Sequence, residues 1–291
     1  ILALGFMGNG VQANSIGEAM KNAFNISPYI TGVVVALLGG FVFFGGVKRI
    51  ASFTEKVVPL MAGLYILICF IIIIINYANI IKAFEAIFVN AFSAKSILGG
   101  FLGMGVKKAI RYGVARGLFS NEAGMGSTPH AHAIAKVKNP VEQGNVALIT
   151  VFIDTFIVLT LTALVILTSN IGDGTLTGIT LTQRAFENAL GYLGTIFIAI
   201  ALFFFAFSTI IGWYFFGEAN IKYLFGKKAI NVYRILVMIA IFIGSTQKVE
   251  LVWELADLFN GLMVIPNLIA LIVLYKLVVN TSSEYDKLHN L

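Results

Sequence analysis

Gly117-Leu-Phe-Ser-Asn-Glu-Ala-Gly-Met-Gly-Ser-Thr-Pro129 sets glycines, hydroxyls, an amide and a carboxylate in the middle of a chain otherwise suited to lipid. A continuous membrane helix has no use for such residues. Hydrocarbon offers no water to loose N–H and C=O groups, so irregular backbone persists at membrane depth only where protein or a wet cavity surrounds it. Two readings follow. Either a helix is interrupted on purpose, its freed amides and carbonyls holding something polar near the bilayer midplane, or the stretch is a cytoplasmic loop between two spans.

The rest of the 291 residues says which solvent the chain meets. Apolar side chains make up 58% and charged ones 12%, against roughly a quarter charged in soluble domains. The apolar runs are long and unbroken, which predicts an all-α membrane protein and not a barrel of short alternating strands. A net charge of +6 does not imply nucleic acid, because the basic residues are scattered at span ends, where they set orientation. Cys69 is the single cysteine, so no disulfide or thiol metal cluster forms within the chain. Its place inside an apolar run predicts simple packing. The opening Ile-Leu-Ala-Leu-Gly does not read as a signal peptide. It reads as mid-helix, with further chain expected upstream.

Taken in order, residues 1 to about 22 form the end of a span carrying Gly5, Gly8, Gly10, Asn9, Gln12, Asn14 and Ser15. Small residues there let helices approach closely, while Gln12, an amide in lipid, needs either a neighbouring helix or a ligand. Spans follow at about 29–47 and 57–76, the second with Pro59 in its first turn. The piece 77–95, punctuated by Lys82, Glu85 and Lys95, reads as a short surface helix. The interrupted element covers 97–135, and a span at 143–168 carries Asp154. The Gly172-Asp-Gly174 turn and an amphipathic piece at 181–190 form an external loop. Spans at 192–217, 230–247 and 250–279 complete the chain, the last with a kink expected at Pro266. This gives about eight membrane elements. Lys48, Arg49, Lys56, Lys136, Lys138, Lys222, Lys227, Lys228 and Arg234 then share a side with the tail, while Lys21, Lys82, Lys95, Arg184 and Lys248 lie opposite. The asymmetry puts the C-terminus in the cytoplasm and makes 97–135 one crossing. Lys107, Lys108, Arg111 and Arg116 belong to the interrupted element and face a wet vestibule or pair with acids.

Several side chains are candidates for chemistry. A half-helix starting near Asn121 would aim amides and a positive dipole end at a ligand carboxylate, and its counterpart ending near Leu118 would offer carbonyls to a cation. Gly117, Gly124 and Gly126 permit the unwinding and the close approach of a small solute. Phe119 either walls such a pocket or simply packs. Phe205, Thr209 and Trp213 share a helix face at i, i+4, i+8, one hydroxyl between two aromatics. Ser208 and Thr209 suit a hard cation such as sodium, unless both hydroxyls bond their own helix carbonyls. Asp154 is either functional or paired with a base of the interrupted helix, and Glu122 stands similarly, able to lock the two halves. His130 and His132 point to different sides and lack a third ligand, which argues against a metal. Asp257 and Asn260 read as a helix-contact patch. No catalytic triad order, zinc-protease motif or phosphate loop occurs, which disfavours an enzyme.

The string Val114-Ala-Arg-Gly-Leu-Phe-Ser-Asn-Glu-Ala-Gly-Met-Gly-Ser127 resembles the signature of the alanine or glycine:cation symporters, the sodium:alanine carriers. Similarity extends to Val11-Gln-Ala-Asn-Ser15, Val151-Phe-Ile-Asp-Thr155, Leu161-Thr-Ala-Leu-Val-Ile166, Trp213 with Gly217-Glu218, and Leu251-Val-Trp-Glu-Leu-Ala-Asp-Leu-Phe-Asn-Gly-Leu-Met263. The resemblance implies a leucine-transporter-type fold of two inverted repeats in a single transporter domain over 1–291. Residues 1–76 would end the first repeat and 97–279 would form the second, with the family's other broken helix upstream of Ile1. It implies substrate contacts at Gln12, Phe119, Thr209 and Trp213, with the break at Ser120, Asn121 and Gly124 adding backbone ligands. It also implies sodium at Ser208 and Thr209, shared with the upstream helix. The expected activity is sodium-coupled symport of alanine or glycine in the plasma (inner) membrane by alternating access. Sodium is then the coupling ion, with no cofactor and no nucleic-acid partner. A proton-coupled carrier relying on Asp154 or Glu122, and a transporter-like sensor or channel, remain as alternatives.

Overall fold

The computed structural model describes residues 1–92, 103–171 and 175–289, apart from the side chains of 47–49, 51, 90–92 and 103–109. Residues 97–102 of the interrupted element, Lys95 and the Gly172–Gly174 turn lie outside the described residues, as do the side chains of Lys48, Arg49, Lys107 and Lys108.

The described chain is helical. A π-helical opening, Leu2–Gly8, runs into Asn9–Phe24, and together they make α1. Next come α2 (Pro28–Phe43), α3 (Gly46–Ile75), α4 (Ile80–Phe92) and α5 (Gly103–Asn121). One turn, α6 (Pro129–His132), precedes α7 (Pro140–Thr168), whose middle, Ile153–Val158, is π-helical. The chain ends with α8 (Gly178–Leu190), α9 (Tyr192–Phe225), α10 (Ile230–Thr246) and α11 (Val249–His289). Among the described residues five helices are long and apolar enough to span a bilayer, in α3, α7, α9, α10 and α11, and α2 is a shorter apolar helix. This makes a multi-pass membrane protein. The expected count of about eight includes α1 and the interrupted element, which are too polar or too broken to pass as spans on hydropathy alone.

The polar, glycine-rich α1 occupies the centre because small residues let its neighbours close on it. A Cβ on Gly244 of α10 would stand 2.3 Å from the Gly10 Cα, so two backbones touch there. Asn14 locks the crossing: its Nδ2 donates to the Gly244 carbonyl at 3.0 Å and to that of Gln247 at 2.8 Å, capping orphan carbonyls at the end of α10. Tyr233 of α10 lies over Gly217 of α9 and Gly5 of α1, where a Cβ would meet its hydroxyl at 1.8 and 2.4 Å. Phe43 of α2 stacks on Tyr214 at 3.9 Å.

A second layer joins α3, α7, α8 and α9 around Tyr65, Cys69, Val165 and Phe186, with Cys69 fully buried. The amphipathic α8 is a helix lying across its neighbours. Gln183 Nε2 reaches the carbonyls of Ala19 and Thr195 at 3.1 and 3.3 Å. The surface helix expected at 77–95 is α4, preceded by a 3₁₀ turn at Tyr77–Asn79 and pinned by Asn79 Nδ2 to the Thr168 carbonyl at 3.0 Å. One boundary differs from expectation: α3 begins at Gly46, where φ is +69, so Pro59 lies in its interior and not in its first turn. The break that separates α2 from α3 is the Gly45-Gly46 pair, and the charged residues 48–56 simply extend the helix beyond its apolar part. Helix α11 runs through Pro266.

Candidate functional site: an interrupted helix held by three spans

The interruption begins where α5 ends. Glu122 N–H still donates to the Leu118 carbonyl at 2.9 Å, but Glu122 itself turns left-handed at φ 56, and Gly124 and Gly126 follow at φ 80. Glycine takes this conformation freely, which is why the chain can reverse here. The Asn121 side chain stabilises the exit, its Oδ1 accepting the Ala123 N–H at 3.0 Å. Regular structure resumes only at Pro129–His132. The half-helix expected to start near Asn121 is therefore absent: Asn121 is a helix C-terminus, and no helix dipole aims its positive end at that point. Asn139 caps the start of α7 through the Val141 N–H at 2.9 Å.

Three spans hold the segment by polar side chains near their midpoints. From α7, both Asp154 carboxylate oxygens lie within reach of the Ser120 hydroxyl, at 3.1 and 2.8 Å, and Thr155 Oγ1 accepts from Asn121 Nδ2 at 3.1 Å. The π-helical turn around Asp154 and Thr155 frees backbone geometry that a regular helix would not, a feature often seen at functional sites. From α9, the Trp213 indole N–H donates to Glu122 Oε1. From α11, Asn267 Nδ2 donates to the Gly124 carbonyl at 2.8 Å. Arg116, one turn before the break, pairs with Asp257 and lies 3.9 Å from the Trp253 ring, which in turn packs on Phe119 at 4.9 Å.

The residues expected to form one pocket separate into two environments. Ser120 and Phe205 line a cavity of about 520 Å³ together with Asp154, Tyr65 and Thr162, the last two hydrogen-bonded at 2.7 Å. Phe119 and Trp213 lie instead in an apolar cluster with Leu4, Val11 and Val252, and Trp213 is 2% exposed. They touch each other edge to face at 5.1 Å. Thr209 and Ser208 both donate to the Phe205 carbonyl, at 3.1 and 2.8 Å, the internal alternative that their sequence left open. Gln12 is partly buried on α1. Among the described residues Asp154 pairs with no base, and Arg116 of the interrupted helix takes Asp257. Among the described residues no group of three His, Cys, Asp or Glu side chains converges on a metal position. His130 donates from Nδ1 to the Ser127 carbonyl at 2.7 Å and accepts from Asn220 Nδ2 at 2.8 Å, and His132 meets Gln143.

Sequence reasoning missed Asn267, Tyr65 and Thr162. Asn267 was legible, being an amide in a span beside Pro266, by the same argument that singles out Gln12. Tyr65 and Thr162 carry no local signal, since a tyrosine or threonine in an apolar run is ordinary until its neighbour is known.

Fold and site together define a multi-pass helical membrane protein with one helix interrupted at the depth of its neighbours' midpoints. The chain belongs to the sodium:alanine symporter family, which it matches over residues 1–290. It is 41% identical to sodium/alanine symporter AgcS of Methanococcus maripaludis, the match covering 97% of this chain and 62% of that protein. It is 39% identical to amino-acid carrier protein AlsT of Bacillus subtilis, over 98% of this chain and 61% of the relative. With the probable sodium/glutamine symporter GlnT of the same organism it shares 42% identity, over 98% and 59%. The chain thus spans about three fifths of the length of these relatives.

Proposed function

We propose that this chain serves sodium-coupled symport of a small neutral amino acid, alanine or glycine, by alternating access in the plasma (inner) membrane with its C-terminus cytoplasmic. The single observation that carries the reading is the left-handed run at Glu122, Gly124 and Gly126, held between three spans in a member of a symporter family. Peptide groups freed at such depth must bond a side chain, water or a solute, and Ser120, Asn121 and Gly124 stand at that point. The reading assigns the chain to a leucine-transporter-type fold of inverted repeats, with 1–76 ending one repeat, 97–279 forming the other, and about eight membrane elements. Gln12, Phe119, Thr209 and Trp213 complete the substrate contacts in the conformation that holds solute.

Sodium is assigned to Ser208 and Thr209. Both hydroxyls converge on the Phe205 carbonyl oxygen, so two side-chain oxygens and one backbone oxygen already lie close together. A hard cation is bound by such oxygen sets, the hydroxyls turning their lone pairs inward as it enters. Sodium and solute then favour the same state, so each raises affinity for the other by the same factor. The test is equilibrium alanine binding by the full-length protein, titrated with sodium against choline at equal ionic strength. Tighter binding in sodium is expected, and equal binding in both salts refutes the coupling.

A further inference from the structure

We propose that Glu122 is a proton site: its carboxyl carries a proton while segment 122–128 packs beneath Trp213 and releases it when that packing opens. The inference rests on the symport reading and adds a proton-binding step to the same cycle.

Glu122 occupies its position at a cost. It is the first residue out of α5 and takes a left-handed φ of 56, a conformation that crowds a Cβ against the following carbonyl oxygen. The chain uses glycine for the same conformation two and four residues later. A side chain kept at such a point does something a glycine cannot.

What it does follows from its surroundings. Oε1 accepts the Trp213 indole N–H, whereas Oε2 is buried and has no hydrogen-bond partner among the described residues. Among the described residues no cation pairs with it. Arg116 is taken by Asp257 of α11, and Arg234 by Glu218 of α9. From α7 the group whose field reaches Glu122 is Asp154, a second carboxyl. On α1 the first acid in sequence is Glu18, which accepts from the Thr180 hydroxyl. Within the segment itself His130 is engaged with the Ser127 carbonyl and Asn220.

An ionised carboxylate that is buried without a cation is disfavoured by lost hydration, and a like charge nearby adds to the penalty. The neutral acid removes both problems. Ser127 Oγ is fully buried, lies beside the Glu122 carboxyl and is itself without a partner. The Ser127 hydroxyl can serve either state, donating to an ionised Oε2 or accepting from a protonated one, so it is burial without a neighbouring cation that favours the neutral acid. Oε1 remains the acceptor for Trp213. Asp154 does not need this: the Ser120 hydroxyl serves both its oxygens, and it lines a cavity. Opening of the segment toward water would expose Oε2, and the acid then releases its proton as an ordinary carboxyl does.

The experiment uses the full-length protein in liposomes containing a pH-sensitive dye, with alanine added outside in sodium. Wild type is expected to acidify the lumen as alanine enters, and in Glu122→Gln the number of protons per alanine falls to zero, because glutamine mimics the neutral acid and cannot release a proton. In parallel, the emission of Trp213, assigned by its loss in Trp213→Phe, is followed against pH without alanine. It should titrate in wild type and stay flat in Glu122→Gln. Acidification that persists in the variant, or a Trp213 titration unchanged by it, overturns the assignment. A Trp213 response that follows sodium at constant pH makes Glu122 a sodium ligand and equally overturns it. Wild type that takes up no alanine refutes the symport reading instead, and the Trp213 titration still decides on Glu122.

Discussion

Gly8→Ala displaces Trp213 from the position in which its indole N–H reaches Glu122. An alanine Cβ at residue 8 would stand 1.9 Å from Cζ3 and 2.3 Å from Cε3 of the indole, where ordinary contact begins at 3.4 Å, so the ring edge must retreat by about 1.5 Å. Trp213 is 2% exposed and packed edge to face on Phe119. Overpacking of a filled core costs about 1–3 kcal/mol, and loss of the hydrogen bond to Glu122 adds about 1–3 kcal/mol. The helix preference of alanine over glycine returns at most about 1 kcal/mol. We expect a net destabilisation of about 2–4 kcal/mol from these terms. It is measured by equilibrium unfolding of the purified full-length protein in mixed micelles. Gly212→Ala on α9 is the control: a Cβ there meets nothing within 4 Å, so it should be neutral or slightly stabilising. The decisive comparison repeats Gly8→Ala in a Trp213→Phe background, which removes the outer ring that carries Cζ3 and Cε3. Neighbouring sites that share a contact are non-additive, and most of the cost should vanish in the double variant. An equal cost in both backgrounds would show that the clash with Trp213 is not what Gly8 avoids.

Three further outcomes are expected. Arg116→Leu and Asp257→Asn should couple in a double-mutant cycle by about 1–3 kcal/mol, read by unfolding. Arg116→Lys should fail to restore wild type, because an ammonium cannot reproduce a planar guanidinium stacked on Trp253; full restoration would mean that charge alone matters. At the interruption, Gly124→Ala and Gly126→Ala both meet the left-handed penalty of about 1–2 kcal/mol. Only the second also drives a Cβ to 2.9 Å from Asn267 Oδ1, so thermal denaturation should rank Gly126→Ala as the worse, and equal midpoints would refute the ranking. Thr209→Val should weaken alanine binding measured in sodium while Cys69→Ala does not. Among the described residues the Thr209 hydroxyl bonds only the Phe205 carbonyl, so unchanged affinity in the valine variant would leave sodium no ligand at that residue.

The glycines at the break were expected to permit unwinding and the close approach of a small solute. At Gly124 a Cβ meets nothing within 4 Å, so what the structure shows there is a conformational requirement and not a steric one. The same distinction runs through the site. The location of the interruption was legible, because glycines, an amide and a carboxylate in a lipid-compatible chain are a local contradiction that composition alone reveals. The direction of the break was not. Asn121 reads equally well as a helix start or a helix end, and only the last helical bond from the Glu122 N–H to the Leu118 carbonyl, followed by the left-handed turn at Glu122, makes it an end. The face shared by Phe205, Thr209 and Trp213 was legible from spacing. That Phe205 would line a cavity while Trp213 turned into an apolar cluster depends on the rotation of α9 against α1 and α5, about which spacing is silent.

By itself the sequence determined that this is a helical membrane protein, that regular helix is interrupted around Ser120–Gly124, and which family the chain resembles. Hydropathy, glycine's access to positive φ and motif identity are properties of a residue and its near neighbours, and they survive without knowledge of the fold. Tertiary structure alone decided who pairs with whom: Arg116 with Asp257 and not Asp154, Trp213 with Glu122, Asn267 with the Gly124 carbonyl. A polar side chain in lipid must find a partner. Which partner it finds is set by the spans that stand beside it and by their depth and rotation, and these are fixed by contacts such as Gly10 against Gly244, more than two hundred residues apart in the chain.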